Sequence, residues 1–203
     1  MDMTDTPPQP RIAPLQAPYE PETDEMLKRW MPPGAAIEPL ALFRTLAVHP
    51  DLMSRMRPLG SGILNHGAVP PRDREIVLHR TCARAGAEYE WGVHAATFAS
   101  AVGLSEDQVA ATAAPSADEL SWAPEDADLI RLADELHDTC AVSDELWARL
   151  AERYTEQQLL ELVITAGWYR TIAYVTNAVR IPLEPWAARF PGAEMRDKGR
   201  YTS

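Results

Sequence analysis

The chain has 203 residues, 46% of them apolar, which is enough for one folded domain with a core of its own and a tail. A formal net charge of −11 lacks the basic face that phosphate binding needs, so nucleic acid is not an expected partner. Apolar runs stay well short of the roughly 20 residues that cross a bilayer, and Met1 to Pro10 is acidic and Pro-rich rather than a basic region followed by an apolar stretch; the sequence predicts no membrane partner, no secretion signal and a cytoplasmic protein.

Taken in chain order, residues 1–23 read as a Pro-rich arm. Pro7, Pro8, Pro10, Pro14, Pro18 and Pro21 cannot continue a helix or a central strand, so the arm is expected to be extended and either to wrap a neighbour or to stay mobile. From Asp24 the apolar spacing is helical and defines a domain over residues 24–189. Leu40, Phe43, Leu46 and Ala47 form one stripe; Leu52, Met53, Met56, Leu59, Ile63 and Leu64 form another after Pro50. Pro71 suits the first position of a helix that runs to about Ala85 and stops at Gly86. A second helix spans about Glu88 to Val102 and ends at Gly103. Ser105 with Gln108 spells a capping box, and residues 116–124 read as a loop.

Leu129, Ile130, Leu132, Ala133 and Leu136 mark the next amphipathic helix, and Ser143 caps a short one holding Leu146, Trp147 and Leu150. Thr155 with Gln158 is a second capping box, opening a long apolar helix from Leu159 to Val179 that Pro182 and Pro185 close. The tail from Phe190 to Ser203 is polar and expected to be loose. Nothing alternates with a two-residue period, so the prediction is an all-α fold of seven or eight helices.

The chemistry concentrates between Arg72 and His94. Glu75 and His79 are four residues apart, as are Glu90 and His94, so each pair lies on one helix face a turn apart. Two such ridges joined at Gly86 can face each other across a small pocket suited to proton transfer. His94 is the natural proton carrier, because an unperturbed imidazole titrates near pH 6.5. Glu90 and Glu75 would orient it or act as further acid/base groups; His79, Tyr169 and Trp91 are the candidate substrate-binding residues. Cys82 and Cys140 form neither a CxxC pair nor a zinc set, and read as reduced thiols, chiefly packing residues. The two Glu-x-x-x-His spacings differ from the Glu-x-x-His of di-iron bundles, so neither a metal nor another cofactor is expected.

Arg74-Glu75, Glu88-Tyr-Glu-Trp91, His94 and Gly103-Leu-Ser105 together resemble the carboxymuconolactone decarboxylase family, which includes the alkylhydroperoxidase D branch. Glu161-Leu-Val, Gly167, Tyr169, Asn177 and Ile181-Pro-Leu183 are similar to that family's last helix and its exit, and the likeness covers roughly residues 40–186. It implies an alkylhydroperoxidase D-like helical bundle that assembles as a homo-oligomer, trimer or hexamer, with a small-molecule substrate. The peroxidase branch carries a Glu, then Cys-x-x-Cys-x-x-x-His. Glu75 and His94 match, but the cysteine positions fall on Ala87 and Glu90. The dithiol cycle therefore lacks both sulfurs. What the resemblance then implies is the decarboxylase side: acid/base lyase or isomerase chemistry on a lactone or keto-acid-like substrate. Two alternatives stand beside it: a peroxidase-like protein using Cys82, and a ligand-binding member without catalysis.

Overall fold

A computed structural model of the chain describes residues 9–32, 34–35, 37–114 and 122–192. Among the described residues there are nine α-helices and no strand: α1 Pro21–Trp30, α2 Ala41–Leu46, α3 Pro50–His66, α4 Pro71–Arg84, α5 Glu88–Thr97, α6 Glu106–Thr112, α7 Pro124–Thr139, α8 Asp144–Arg153 and α9 Glu156–Val179. The all-α expectation holds, with nine helices where seven or eight were predicted. Most of the expected loop at 116–124 lies outside the described residues; Pro124, its last member, opens α7.

Helix α4 is the axle. It packs against α5, α6, α7 and α9, so its apolar residues Ile76, Val77 and Leu78 are completely buried. Each such side chain contributes roughly 1.5–3 kcal/mol through burial. Continuous enclosure also forces α4 to bury its polar residues, and Glu75, His79 and Arg80 lie inside with them. The core has two lobes. The larger joins α4 to α7, α8 and α9; the smaller gathers Leu27, Leu42, Met53, Tyr89, Val93 and Ile172 around α1 and α2.

Local signals act as read. Ser105 and Thr155 each accept from the backbone N–H three residues on, and Gln108 and Gln158 each accept from the cap's own N–H. Gly86 adopts φ +63, and the N–H groups of Gly86 and Ala87 donate to the carbonyls of Ala83 and Cys82. That is a complete Schellman closure; it ends α4 and turns the chain straight into α5.

Three expectations change. α1 begins at Pro21, inside the expected arm, because proline is tolerated at a helix's first turn. The arm itself docks on its own chain: Arg11 N–H donates to the Val179 carbonyl at 2.8 Å, and Leu15 packs into the smaller lobe. α5 stops at Thr97 rather than Val102; residues 98–103 form turns closed at Gly103, φ +81, by Leu104 N–H donating to the Ala99 carbonyl at 2.9 Å.

The described start of the tail is anchored as well. Phe190 packs on Trp91 at 5.1 Å between ring centroids, and its N–H donates to Glu88 at 2.9 Å. Ala188 lies so close to Gly92 that a Cβ there would strike its carbonyl oxygen. Residues 193–203 lie outside the described residues.

Candidate active site

The Gly86 turn brings the inward face of α5 beside that of α4. Glu75 is fully enclosed, and His94 and Glu90 are 4% and 7% exposed, so all three are withdrawn from bulk water. Their strongest contact crosses between the helices: His94 Nδ1 is 2.9 Å from Glu75 Oε2. The contacts expected from four-residue spacing are longer. His94 Nε2 is 3.5 Å from Glu90 Oε1, and His79 Nδ1 is 3.8 Å from Glu75 Oε2. His94 therefore stands between two carboxyl groups, tightly held at one nitrogen and loosely at the other.

His79 Nδ1 makes its short bond, 2.7 Å, to the Glu75 backbone carbonyl. Its ring meets those of Trp91 and His94 nearly at right angles, at 6.0 and 6.3 Å. Tyr169 comes from α9 and stands edge-on to His94 at 5.3 Å. Trp91 donates to the Thr112 hydroxyl at 2.9 Å, which fixes its ring between α4 and the end of α6. Glu75, Glu90, His94, His79 and Tyr169 thus converge, and Trp91 walls the side where His79 lies.

Two contributors were not assigned a part from sequence. Arg74, 6% exposed, donates to Glu75 Oε1 at 3.3 Å and to the Leu64 carbonyl at 3.0 Å. It was visible only as half of a motif, with no sign of where its side chain turns. Phe98 stacks obliquely on His94 at 4.8 Å. The four-residue rule that linked Glu90 to His94 also reaches Phe98 and would have found it.

Burial alone would lower the pKa of His94, but the Glu75 carboxylate with its hydrogen bond, joined by Glu90, outweighs it and raises the value to about 9. Burial likewise opposes ionisation of Glu75, yet His94, His79 and Arg74 together hold its pKa below the ordinary one. For His79 burial wins over the attraction of Glu75, and the pKa falls to about 4. Two imidazoles with touching rings are thereby driven to opposite protonation states, the pattern that separates an acid from an acceptor.

Cys82 is fully buried, and burial, with Glu90 and Glu75 nearby, pushes its thiol well above the usual range. A peroxidase nucleophile needs the reverse, an accessible thiolate. Cys140 is exposed and caps the end of α7. Among the described residues, no group of three or more His, Cys, Asp or Glu is arranged to hold a metal ion. None of the helices of the described residues is long and apolar enough to cross a membrane. An open groove of about 370 Å³ between α3 and α9 is lined by Leu59, Ile63, Leu160 and Ile164 and shares no residue with the acid/base cluster.

A family model described as the carboxymuconolactone decarboxylase family matches residues 50–135, a span that contains Glu75, His79, Glu90 and His94. The chain is also similar to the crystal structure of an uncharacterized peroxidase-related protein from Silicibacter sp. TM1040: TM-score 0.69 at 12% identity, covering 89% of this chain and 96% of that one. At that identity the likeness concerns the fold alone. No curated protein matches the chain. The matched span holds both acid/base helices, α4 and α5, and the fold is shared with that structural neighbour.

Proposed function

We propose that this protein is an acid/base enzyme, a lyase or isomerase acting on a small lactone or keto-acid-like substrate, with His94 as the proton carrier. The observation that carries the reading is the unequal clamp on His94: 2.9 Å to Glu75 at Nδ1 and 3.5 Å to Glu90 at Nε2. The shorter contact orients the ring and stabilises its protonated form, as a buried carboxylate does for a catalytic imidazole. The longer one leaves Nε2–H available for exchange with a substrate.

With its pKa raised to about 9, His94 is an acid at neutral pH. In a decarboxylation, the C–CO₂⁻ bond breaks, its electron pair passes into an enolate, and His94 Nε2 delivers a proton to the carbon that carried the carboxylate. In an isomerisation of a β,γ-unsaturated substrate, Glu90 removes the proton next to the carbonyl, giving a dienolate, and His94 returns one at its far carbon, which shifts the double bond into conjugation. Glu75 stays ionised throughout. Tyr169 and Phe98 wall the ring, which keeps water from competing for the proton. The family resemblance supports a homo-oligomeric assembly, trimer or hexamer, measurable by light scattering.

The test is a panel of lactones and β-keto acids in heavy water, scored for CO₂ release and for deuterium at carbon, with wild type beside His94→Gln. Turnover by wild type and its loss in the variant are expected. Undiminished turnover by His94→Gln would sink the reading.

A further inference from the structure

Seven buried side-chain polar atoms among the described residues lack a hydrogen-bond partner: those of Trp30, Arg74, His79, Thr81, Arg84, Trp122 and Thr165. Trp and Arg nitrogens are donors, and a threonine hydroxyl both gives and accepts. His79 Nε2 is different. Its partner atom Nδ1 lies 2.7 Å from the Glu75 carbonyl, and a carbonyl can only accept, so Nδ1 carries the hydrogen. Burial keeps the ring neutral. Nε2 is therefore a bare lone pair, unable to donate, on a side chain with no exposed surface.

Leaving a buried acceptor without a partner is costly, and proteins seldom keep one without a use. On α4, Asp73 accepts from Tyr154 and Arg153, and Arg80 bonds Asp134 and two carbonyls, while Arg74, Thr81 and Arg84 each keep one atom that can donate but has no hydrogen-bond partner. The unpartnered atom that can only accept sits on the ring that meets His94. Nδ1 is turned back onto α4, and the ring meets those of Trp91 and His94 on α5 at 6.0 and 6.3 Å between centroids, so the ring that carries the lone pair adjoins the proton carrier.

We propose that His79 is a specificity-determining residue whose Nε2 accepts a hydrogen bond from a substrate hydroxyl, so that the site selects hydroxylated lactones or keto acids over their unhydroxylated counterparts. The inference rests on the acid/base reading of His94. A hydroxyl is the donor such molecules carry, and it is small enough for an enclosed site. Its bond to Nε2 would fix the reacting carbon relative to His94.

The experiment compares α-carboxy-γ-butyrolactone with its β-hydroxy derivative, and acetoacetate with its γ-hydroxy derivative, each carrying the carboxylate that a decarboxylation releases, in wild type, His79→Leu and His94→Gln. Wild type should favour the hydroxylated member by about 10-fold or more in kcat/KM, the worth of one hydrogen bond. His79→Leu should bring that ratio close to one. His94→Gln should lose both members of each pair. A wild type indifferent to the hydroxyl, or a preference that survives His79→Leu, overturns the role of His79 and leaves that of His94 standing. Turnover of both members by His94→Gln overturns the acid/base reading instead, and no turnover by wild type overturns both. Should His79→Leu fail to fold, nitrogen NMR of histidine-labelled wild type decides: Nε2 unprotonated and without a hydrogen bond in the free protein is expected, and an Nε2 already bonded to buried water overturns the proposal.

Discussion

Helix α4 serves two polar clusters, and their difference separates structure from chemistry. Toward α7 it presents arginines. Arg72 grips Asp126 through two 2.7 Å bonds, Arg80 grips Asp134 at 2.7 and 2.9 Å, and Arg84 reaches Asp138 at 2.5 Å. Arginine does not titrate in proteins, and forked pairs fill both partners. Toward α5 the same helix presents Glu75 and His79, which meet His94 and Glu90. There every group but Arg74 can exchange a proton, contacts range from 2.9 to 3.8 Å, and one lone pair is open. The first cluster keeps a single arrangement of charge; the second changes its charge as His94 and His79 take up or release protons. A site that moves protons needs the second kind.

The largest expected effect breaks the first cluster. Arg80→Met takes from Asp134 its two short bonds, leaving it with the 3.3 Å contact to Arg84, and removes the donor to the Thr112 and Ala114 carbonyls. We expect a loss of about 3 kcal/mol in urea unfolding, toward the lower end for buried pairs because the Asp134 side chain is 28% exposed. Adding Asp134→Leu should restore much of it, since an apolar pair often replaces a buried ion pair without loss. A wild-type-like unfolding midpoint for Arg80→Met would show that the cluster is not structural.

Next comes the chemistry of the second cluster. Glu90→Gln keeps the shape but cannot take a proton, and should reduce kcat by about 10²-fold, with a small change in unfolding. If stability falls and the rate of the remaining folded protein does not, Glu90 belongs with the structural pairs.

The clusters also part in their response to pH. His94 is raised from 6.5 to about 9, so its contribution to stability is complete below pH 6.5 and is lost as pH rises through 9. His79 is lowered from 6.5 to about 4, so the folded protein is disfavoured progressively as pH falls from 6.5 toward 4. Glu75, held below its ordinary range, adds to the loss on the acid side. Stability should peak near pH 6.5 and fall on each side by something on the order of 2–3 kcal/mol. His94→Gln should flatten the alkaline limb and Arg80→Met should leave the shape unchanged; an alkaline limb that persists without His94 refutes the assignment. Arg74, Cys82 and Tyr169 face the same groups, and burial keeps the Cys82 and Tyr169 protons in place through this range.

Much of this was legible in the sequence because it is local. Four-residue spacing set both ridges, Pro71 and Gly86 bounded α4, and two capping boxes opened α6 and α9. What escaped depends on distances between elements. The spacing rule favours pairs within one helix, yet the closest contact joins His94 to Glu75 across the turn, because Gly92 and the Ala188 strap determine how α5 lies. The unmatched nitrogen of His79 was equally hidden, since a missing partner is a property of every neighbouring residue at once. The proline count obscured the arm's docking, which rests on backbone bonds from Arg11 and Leu15 that no side-chain pattern announces.

The smallest expected effect concerns Cys82, which sits on α4 between Arg80 and Arg84 yet belongs to neither cluster. It is wholly buried among core residues, and its thiol is held protonated by burial and by the neighbouring carboxylates Glu90 and Glu75. A protonated, enclosed thiol neither attacks a peroxide nor enters an acid/base relay. Cys82→Ala removes one sulfur from the packing and should cost about 1 kcal/mol of stability. Turnover of any lactone or keto-acid substrate should stay within about two-fold of wild type, far inside the loss expected on removing an acid/base group. The same protein should show no thiol-dependent reduction of an alkyl hydroperoxide before or after the change. Peroxide turnover that disappears with Cys82 would return the chain to the redox reading and would require α4 to open, because the thiol has no path to solvent in the closed bundle.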